Sequence, residues 1–533
     1  MEGMEKRILI AVVLSVLVLI IYPFVFPPPQ PPPKREQASQ PVQQKKEKVS
    51  PSGAETMEVA GAIGIEEKTI TVETDFYKAV FTNKGGVIRH WELKQYWVDV
   101  KKKDNIVLFG PGEISVGAYP MAVGVSDGEL NKLLQSGLFS VEGGDLHLSN
   151  ENPKGSIIFT LVDPNSGKGV RKAFTFNNDS YKVDAEITPI NIGGNYTVST
   201  GSNFGISEWG EARMVGFVGP TTLVGTKLIK DKVAKIKGPL YHEGDIKWTA
   251  VQDKYFISAL IPKDKVNKII VSKSSEKDVH VEIEVSEGQK ASFMLYAGPK
   301  EYKRLKEFGV GLDESISFGW FIVWELSVIS WMAKGLFYLL QLFYRLSYNY
   351  GVAIIFITMV VRVVFVPLTF KSFKSMKDIQ RLQPEIQKLQ KKYKDNKAEL
   401  NKAMMELYKT HKVNPLGGCL PMVLQLPVFI GLYNLLANTI ELRQTPFFLW
   451  ITDLSIKDPY YVLPIIMGIS MLIQQKMTPS TVDPTQAKIM LIMPVMFTFF
   501  FLNFPSGLVL YWLVNNLLTI GQQYVTTKYF YKT

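Results

Sequence analysis

Arg362 is the residue whose type and position first suggest chemistry. It is the only charge in the stretch Gly351 to Phe370, which is otherwise mostly apolar. Read as a helix, that stretch places Arg362 about ten residues from either end, roughly 15 Å deep at 1.5 Å per residue. A charge at that depth in a bilayer costs about 2.5–3.5 kcal/mol on insertion scales, so the guanidinium must face a partner or water. The central parts of the apolar segments contain no Asp or Glu, and Glu441 sits at the outer edge of one of them, at the wrong depth. A hydrated cavity within a helix bundle is the solution left. Thr358, at i−4, shares the face of Arg362. Gln425, Asn434, Asn503, Asn515 and Asn516 are further polar residues in apolar segments. Taken singly, each of these amides reads as a hydrogen bond holding helices together.

Other chemistry is absent. The five histidines, His90, His147, His242, His280 and His411, show no H-E-x-x-H spacing. The one cysteine, Cys419, reads as a small apolar residue. No zinc set, dinucleotide loop or phosphate-binding loop is present, because Gly309-Val310-Gly311 lacks the third glycine. Neither a catalytic residue nor a cofactor or metal is expected.

The second candidate element is basic. The segment 371–418 carries Lys388, Lys391, Lys392, Lys394 and Lys397 among many lysines. Leu382, Ile386, Leu389 and Tyr393 follow a 4-3-4 spacing, as do Leu400, Met404, Leu407 and His411. That pattern predicts a helical hairpin with one apolar seam and basic outer faces. Such charges can fix topology and touch anionic lipid, or dock a ribosome or targeting factor.

These residues need a scaffold. The chain has 533 residues and a net charge of +11, and its 46% apolar content averages a polar part and a very apolar part that meet near residue 318. Lys6-Arg7 precede the apolar run Ile8 to Val25, with no small-residue cleavage pattern after it, so 1–26 reads as a retained signal anchor. No cysteine follows that run, which argues against a lipoprotein. Residues 27–56 are rich in Pro, Gln and Lys and read as an extended tether. Residues 57–312 read as strands in a large antiparallel sandwich. Val279 to Val285 alternates with period two, and Ala291 to Ala297 is expected to return as its partner across Ser286-Glu287-Gly288. Similar runs cover Gly155 to Val162 and Lys172 to Thr188.

Apolar stretches near 351–370, 421–440, 460–475, 489–504 and 507–525 are each about long enough to span a bilayer. Residues 318–345 are apolar too, yet Lys334, Gln341 and Arg345 share one helical face, which suits an interfacial amphipathic helix within 313–349. The positive-inside rule puts Lys6-Arg7 and 371–418 on the same side. That requires two crossings between them, the first anchor and 351–370. Six spans follow, with both termini inside and the β domain outside. The basic balance then belongs mostly to membrane orientation and is weak support for nucleic-acid binding.

Several local motifs resemble one family. Asn414-Pro415-Leu416-Gly417-Gly418-Cys419, Glu441-Leu442-Arg443-Gln444, Asp458-Pro459-Tyr460-Tyr461, Gln475-Lys476-Met477 and Phe504-Pro505-Ser506-Gly507-Leu508-Val509-Leu510-Tyr511 look like the YidC membrane protein insertases of Gram-negative bacteria. The run Ile357 to Arg362, followed by Pro367-Leu368-Thr369, is similar too. The resemblance covers 350–525 closely and implies an insertase core there, in the bacterial inner membrane, with the large domain in the periplasm. It implies that Arg362 faces a hydrophilic groove open to the cytoplasm and lipid and closed to the outside. Thr358 and Trp512 match residues that meet the substrate helix; relatives often carry Tyr-Tyr where this chain has Tyr511-Trp512, so the second hydroxyl is missing. It also implies a β-supersandwich outer domain and a cytoplasmic coiled coil.

The candidate groove therefore comprises Arg362, Thr358, Gln425, Tyr511, Trp512 and Asn515. The expected partners are nascent membrane proteins, the Sec translocon and accessory membrane proteins, a ribosome or signal-recognition factor at the hairpin, and lipid. Two other readings remain at this stage. A secondary transporter of an anionic solute would use Arg362, but the intramembrane carboxylates, inverted repeats and broken helices usual for one are not evident. A membrane anchor presenting the β domain leaves Arg362 unexplained.

Overall fold

The alternation of apolar and polar residues before residue 300 builds sheets, and the longer apolar runs after it build helices. The structure, a computed structural model, describes residues 66–110, 119–201, 217–275, 278–316, 327–393, 396–413, 420–477, 484–526 and 528. The proposed anchor 1–26, the tether 27–56 and the motif 414–419 lie outside the described residues.

Strands from Thr69 to Pro299 form a nine-stranded sheet and two five-stranded sheets. Their inward faces bury Trp91, Trp248, Tyr181, Phe159 and Phe174 completely. Pairing is antiparallel except where Thr69–Glu73 runs parallel to Leu146–His147. One expected hairpin is overturned. Asp278–Val285 pairs with Lys268–Ser275 and Tyr196–Ser199, whereas Ala291–Pro299 pairs with Lys182–Ile190 and Phe256–Pro262 in the nine-stranded sheet. The reason lies in burial. Asp278–Val285 alternates, as a strand buried on one face does, but Ala291–Pro299 is buried on both faces through Leu295 to Pro299 and belongs in the middle of a covered sheet. The turn Ser286 to Gln289, with Gly288 at φ 65°, carries the chain from one sheet to the other. The run Lys172 to Thr188 is likewise two strands, Gly169–Asn177 and Lys182–Ile190.

The helices are α1 (Gly128–Ser136), α2 (Tyr302–Glu307), α3 (Ser327–Ser347), α4 (Tyr350–Arg381), α5 (Gln383–Lys392), α6 (Lys397–Thr410), α7 (Leu420–Asn438), α8 (Val462–Met477), α9 (Pro484–Phe501) and α10 (Ser506–Val525). By length and composition, α4 can cross a membrane. It continues past Phe370 to Arg381, so Lys371, Lys374 and Lys377 sit on this helix and the hairpin begins only at α5. A helix tolerates this extension because Lys, Met, Gln and Arg, which recur there, are all good helix formers.

Close packing joins α10 to α8, α8 to α9 and α3 to α7. Gly468 permits the α8–α9 approach, since a Cβ there would sit 2.0 Å from the Thr498 hydroxyl oxygen.

The segment Arg381–Asn414 belongs to a separate compact unit. In it α5 and α6 pack together, with Ile386 buried and His411 Nε2 lying 3.6 Å from Glu385 Oε2. Asn396 caps α6 by accepting from the Glu399 N–H at 3.2 Å. Lys388, Lys391 and Lys392 are exposed; Lys394 lies outside the described residues, and only the backbone of Lys397, at the start of α6, is described.

Candidate functional site

The buried face of α4 changes character along its length. It begins with Tyr350, Gly351, Ala353, Ile354 and Ile357, and from Thr358 onward consists of Thr358, Arg362, Thr369 and Ser372, all polar. The same change occurs on α10. After Ser506 and Gly507 at its start, its buried residues are Leu508, Val509, Leu510, Tyr511 and Leu513, and then Asn516, Thr519 and Gln523. The opposite side of α4 exposes Phe356, Met359, Val363, Val364 and Val366, a face suited to lipid.

Two contacts, one near each end, set the two helices parallel and in register. A Cβ on Gly507 would lie 3.3 Å from Ile354 Cδ1, so the helices nearly touch there. Midway, Arg362 and the Tyr511 hydroxyl are close enough to interact electrostatically. Farther on, Gln522 Nε2 donates to Thr369 Oγ1 at 2.8 Å. The Ile354–Gly507 and Thr369–Gln522 contacts are separated by the same number of residues on each helix, about 22 Å of helix.

Local sequence positions these side chains. Asp458, fully buried, accepts from the Leu463 N–H at 2.7 Å, the Tyr460 N–H at 3.0 Å and Trp450 Nε1 at 3.1 Å, and so starts α8. At the start of α10, the Ser506 N–H and hydroxyl both donate to the Ile456 carbonyl, at 2.7 and 2.8 Å, and the Gly507 N–H donates to Leu454 O at 3.0 Å. In α4, the Thr358 hydroxyl turns back to Ile354 O at 2.7 Å, so it lines the wall rather than binding Arg362.

Arg362 is 9% exposed, and its Nε and Nη2 have no hydrogen-bond partner. No carboxylate among the described residues forms an ion pair with it. Gln425 Nε2 donates to the Tyr511 hydroxyl at 3.2 Å, bringing α7 into the same wall. Asn515 lies one turn beyond Tyr511 on the same stripe. Trp512 points elsewhere, into rings of Phe429, Phe497 and Phe501 at centroid distances of 5.0, 6.0 and 5.2 Å. Successive residues on a helix diverge by about 100°, which separates the roles of Tyr511 and Trp512.

Comparison with known proteins decides the family. Residues 342–533 match the model of the 60Kd inner membrane protein, and residues 69–339 match that of the YidC periplasmic domain. The membrane protein insertase YidC of Geotalea daltonii is 42% identical, over 98% of each chain. The chain belongs to the YidC membrane protein insertase family. The YidC of Citrifermentans bemidjiense is also 42% identical, over 98% of this chain and 99% of its own, and that of Syntrophus aciditrophicus is 39% identical over 98% and 100%. An active YidC insertase crystal structure, with the first transmembrane domain resolved, matches at 20% identity and a TM-score of 0.38, over 87% of this chain and 93% of that one.

As a YidC insertase, the chain is a non-enzymatic membrane protein that acts on nascent membrane proteins, with a periplasmic β domain and a helical membrane region. The motif Glu441-Leu442-Arg443-Gln444 has a visible job in this YidC protein. Arg443 Nη2 donates to the carbonyls of Trp97 at 2.7 Å and Val98 at 3.1 Å, and Gln444 Nε2 donates to Trp97 O at 2.9 Å. The periplasmic domain is thereby latched to the segment after α7. Beside the latch, burial pushes the Glu441 carboxyl up to about 7, reinforced by nearby Glu301 and opposed by backbone N–H groups, including that of Tyr302. Patterning alone did not single out Thr369, Gln522, Gln523 or Ser470. A signal existed: Thr369 is at i+7 from Arg362, and Tyr511, Asn515, Thr519 and Gln522 form one helical stripe.

Proposed function

We propose that this insertase works through a hydrated groove in which Arg362 receives acidic groups on the polar tail of a nascent chain. The observation that carries the reading is the buried guanidinium with Nε and Nη2 unpartnered. A buried cation without a countercharge is unfavourable unless water or a visiting anion completes it. Water along the polar walls of α4 and α10 shortens the apolar barrier a tail must cross. The attraction to Arg362 is transient, because no fixed geometry surrounds it. The substrate's apolar helix then leaves along the final helices into lipid, driven by its own burial. No nucleotide is required.

In this reading the chain crosses the inner membrane six times. The anchor 1–26, α4 and α7 to α10 are the spans, α3 lies in the outer interface, and both termini are cytoplasmic. The tether 27–56 holds the 57–312 domain in the periplasm, and 350–533 is the insertase core. The basic hairpin within 371–418 faces the cytoplasm. There Lys388, Lys391, Lys392, Lys394 and Lys397 meet a ribosome, a signal-recognition factor or anionic lipid. The protein acts alone or with the Sec translocon and its accessory proteins.

Site-specific photocrosslinking tests the route. Probes at Thr358 and Trp512 should both capture a ribosome-bound nascent membrane segment, with Thr358 favouring its polar flank and Trp512 its apolar helix. Capture at neither position would remove the groove from the path.

A further inference from the structure

The latch made by Arg443 and Gln444 also fixes a hairpin tip. Strands Val87–Trp97 and Asn105–Phe109 pair as far as Trp97 and Asn105, and residues 98–104 close the turn between them. The turn has a set shape. The Val98 N–H donates to Asp104 O at 2.9 Å, the Lys102 N–H donates to Asp99 O at 3.2 Å, and Lys102 takes φ 54°. Arg443 and Gln444 reach the carbonyls at its base, those of Trp97 and Val98, from the segment that joins α7 to α8. The base of the tip is therefore held against that segment.

The tip is mixed in chemistry. Val98 is 58% exposed and Val100 39%. Singly, such residues are ordinary on any surface. Here the segment that holds the tip is apolar and exposed as well, with Phe448 at 57% and Leu449 at 87%. Lys101, Lys102 and Lys103 follow the valines, all exposed. The Lys102 ammonium lies 4.4 Å from the centroid of the Trp97 ring, so an apolar ring and a cation stand together. Asp99 and Asp104 offset part of the lysine charge. Charge alone thus attracts an anionic surface only modestly, and the valines must add to it.

Where α7 and α8 cross the bilayer, the segment between them emerges at its outer surface and brings the tip with it. At that boundary aliphatic side chains enter the edge of the acyl layer while neighbouring lysines meet phosphate. An acidic soluble partner would use the lysines and leave the valines in water.

We propose that the tip 98–104 docks on the outer leaflet, with Val98 and Val100 at the acyl boundary and Lys101, Lys102 and Lys103 on anionic phospholipid headgroups. The periplasmic domain is then held to the membrane at two adjoining places, the Arg443 latch and this lipid contact. The inference rests on the reading above that α7 and α8 are spans joined outside the membrane.

The test uses the full-length protein with Cys419→Ser and one nitroxide label, at Val100→Cys, Leu449→Cys or Asn165→Cys. Asn165 is exposed in a turn of the periplasmic domain and serves as the aqueous reference. The protein is reconstituted in vesicles of phosphatidylcholine, alone or mixed with phosphatidylglycerol, and collisions of the label with oxygen and with a water-soluble nickel chelate are measured. In the mixed vesicles, nickel collision at 100 should be roughly threefold or more below that at 165, as for a group held in the headgroup boundary. Replacing Lys101, Lys102 and Lys103 together by Gln, or omitting phosphatidylglycerol, should remove most of that protection while leaving 449 shielded. A label at 100 as open to nickel as one at 165, with 449 shielded, would overturn the docking and leave the topology standing. Equal protection at 100 with and without phosphatidylglycerol would overturn the choice of an anionic lipid. Full nickel access at 449 would overturn the topology reading itself.

Discussion

Gln425 reaches from α7 to donate to the Tyr511 hydroxyl on α10 at 3.2 Å, and the same hydroxyl lies within electrostatic reach of Arg362. Tyr511 is 1% exposed, so the ring is held by packing and the hydroxyl by this bond. Tyr511→Phe should therefore keep the ring in place and lose about 0.5–1.5 kcal/mol, the usual net worth of such a bond. Thermal unfolding in detergent checks this. The double variant with Gln425→Leu should cost clearly less than the sum of the two singles, because they share one interaction.

The α8–α9 contact depends on a missing side chain. A Cβ at Gly468 would stand 2.0 Å from Thr498 Oγ1 and 3.2 Å from Thr498 Cβ. Gly468→Ala should cost about 1–3 kcal/mol as an overpacked contact. Adding Thr498→Ala should recover most of the loss in the same unfolding measurement. No recovery would mean that the helices are not this close.

Much of this architecture was legible in the sequence. The charge at Arg362 within an apolar run, with no carboxylate at its depth, predicted a cation without a fixed partner, and the structure leaves its Nε and Nη2 unpaired. The 4-3-4 spacing around Ile386 predicted helices that the structure contains. Strand existence was readable from period two, but the partner of Val279 to Val285 was not. A tight turn favours a local hairpin, and only burial on both faces of Ala291–Pro299 sends that strand to another sheet. The pairing of Thr369 with Gln522 was not legible for a related reason. Each lies on a polar stripe of its own helix, but their pairing depends on the register between α4 and α10, which no local pattern encodes.

The latch between the periplasmic domain and the helical core rests on Arg443. Its Nη2 serves two carbonyls, of Trp97 and Val98, while Gln444 serves the first of these. Arg443→Ala leaves those carbonyls short of donors, and hydrogen bonds to charged groups contribute about 1.5–3 kcal/mol. The expected result is faster amide exchange at 96–99 and 441–445, with exchange in the strand core around Phe174 unchanged. Arg443→Lys should restore only part of the protection, since an ammonium lacks the planar fork.

Glu441 makes that junction sensitive to pH. Its carboxyl is raised from the ordinary 4.5 to about 7, first by burial and then by Glu301. A carboxyl raised on docking binds its proton more tightly in the docked state. Its contribution is therefore full below about 4.5 and is lost as pH rises through about 7. Spin-label distances between the periplasmic domain and Leu449, which is 87% exposed, should be narrow at pH 6 and broader at pH 8. Glu441→Gln should be narrow at both.

In the proposed groove, the charge of Arg362 attracts acidic groups on the substrate tail. The most direct measurement is the insertion of paired single-span substrates, one with an acidic tail and one with a neutral tail of equal length, by wild type, Arg362→Ala and Arg362→Lys in proteoliposomes. Arg362→Ala should impair the acidic-tailed substrate far more than the neutral one, and Arg362→Lys should largely preserve both. Equal insertion of the acidic-tailed substrate by wild type and Arg362→Ala would contradict it.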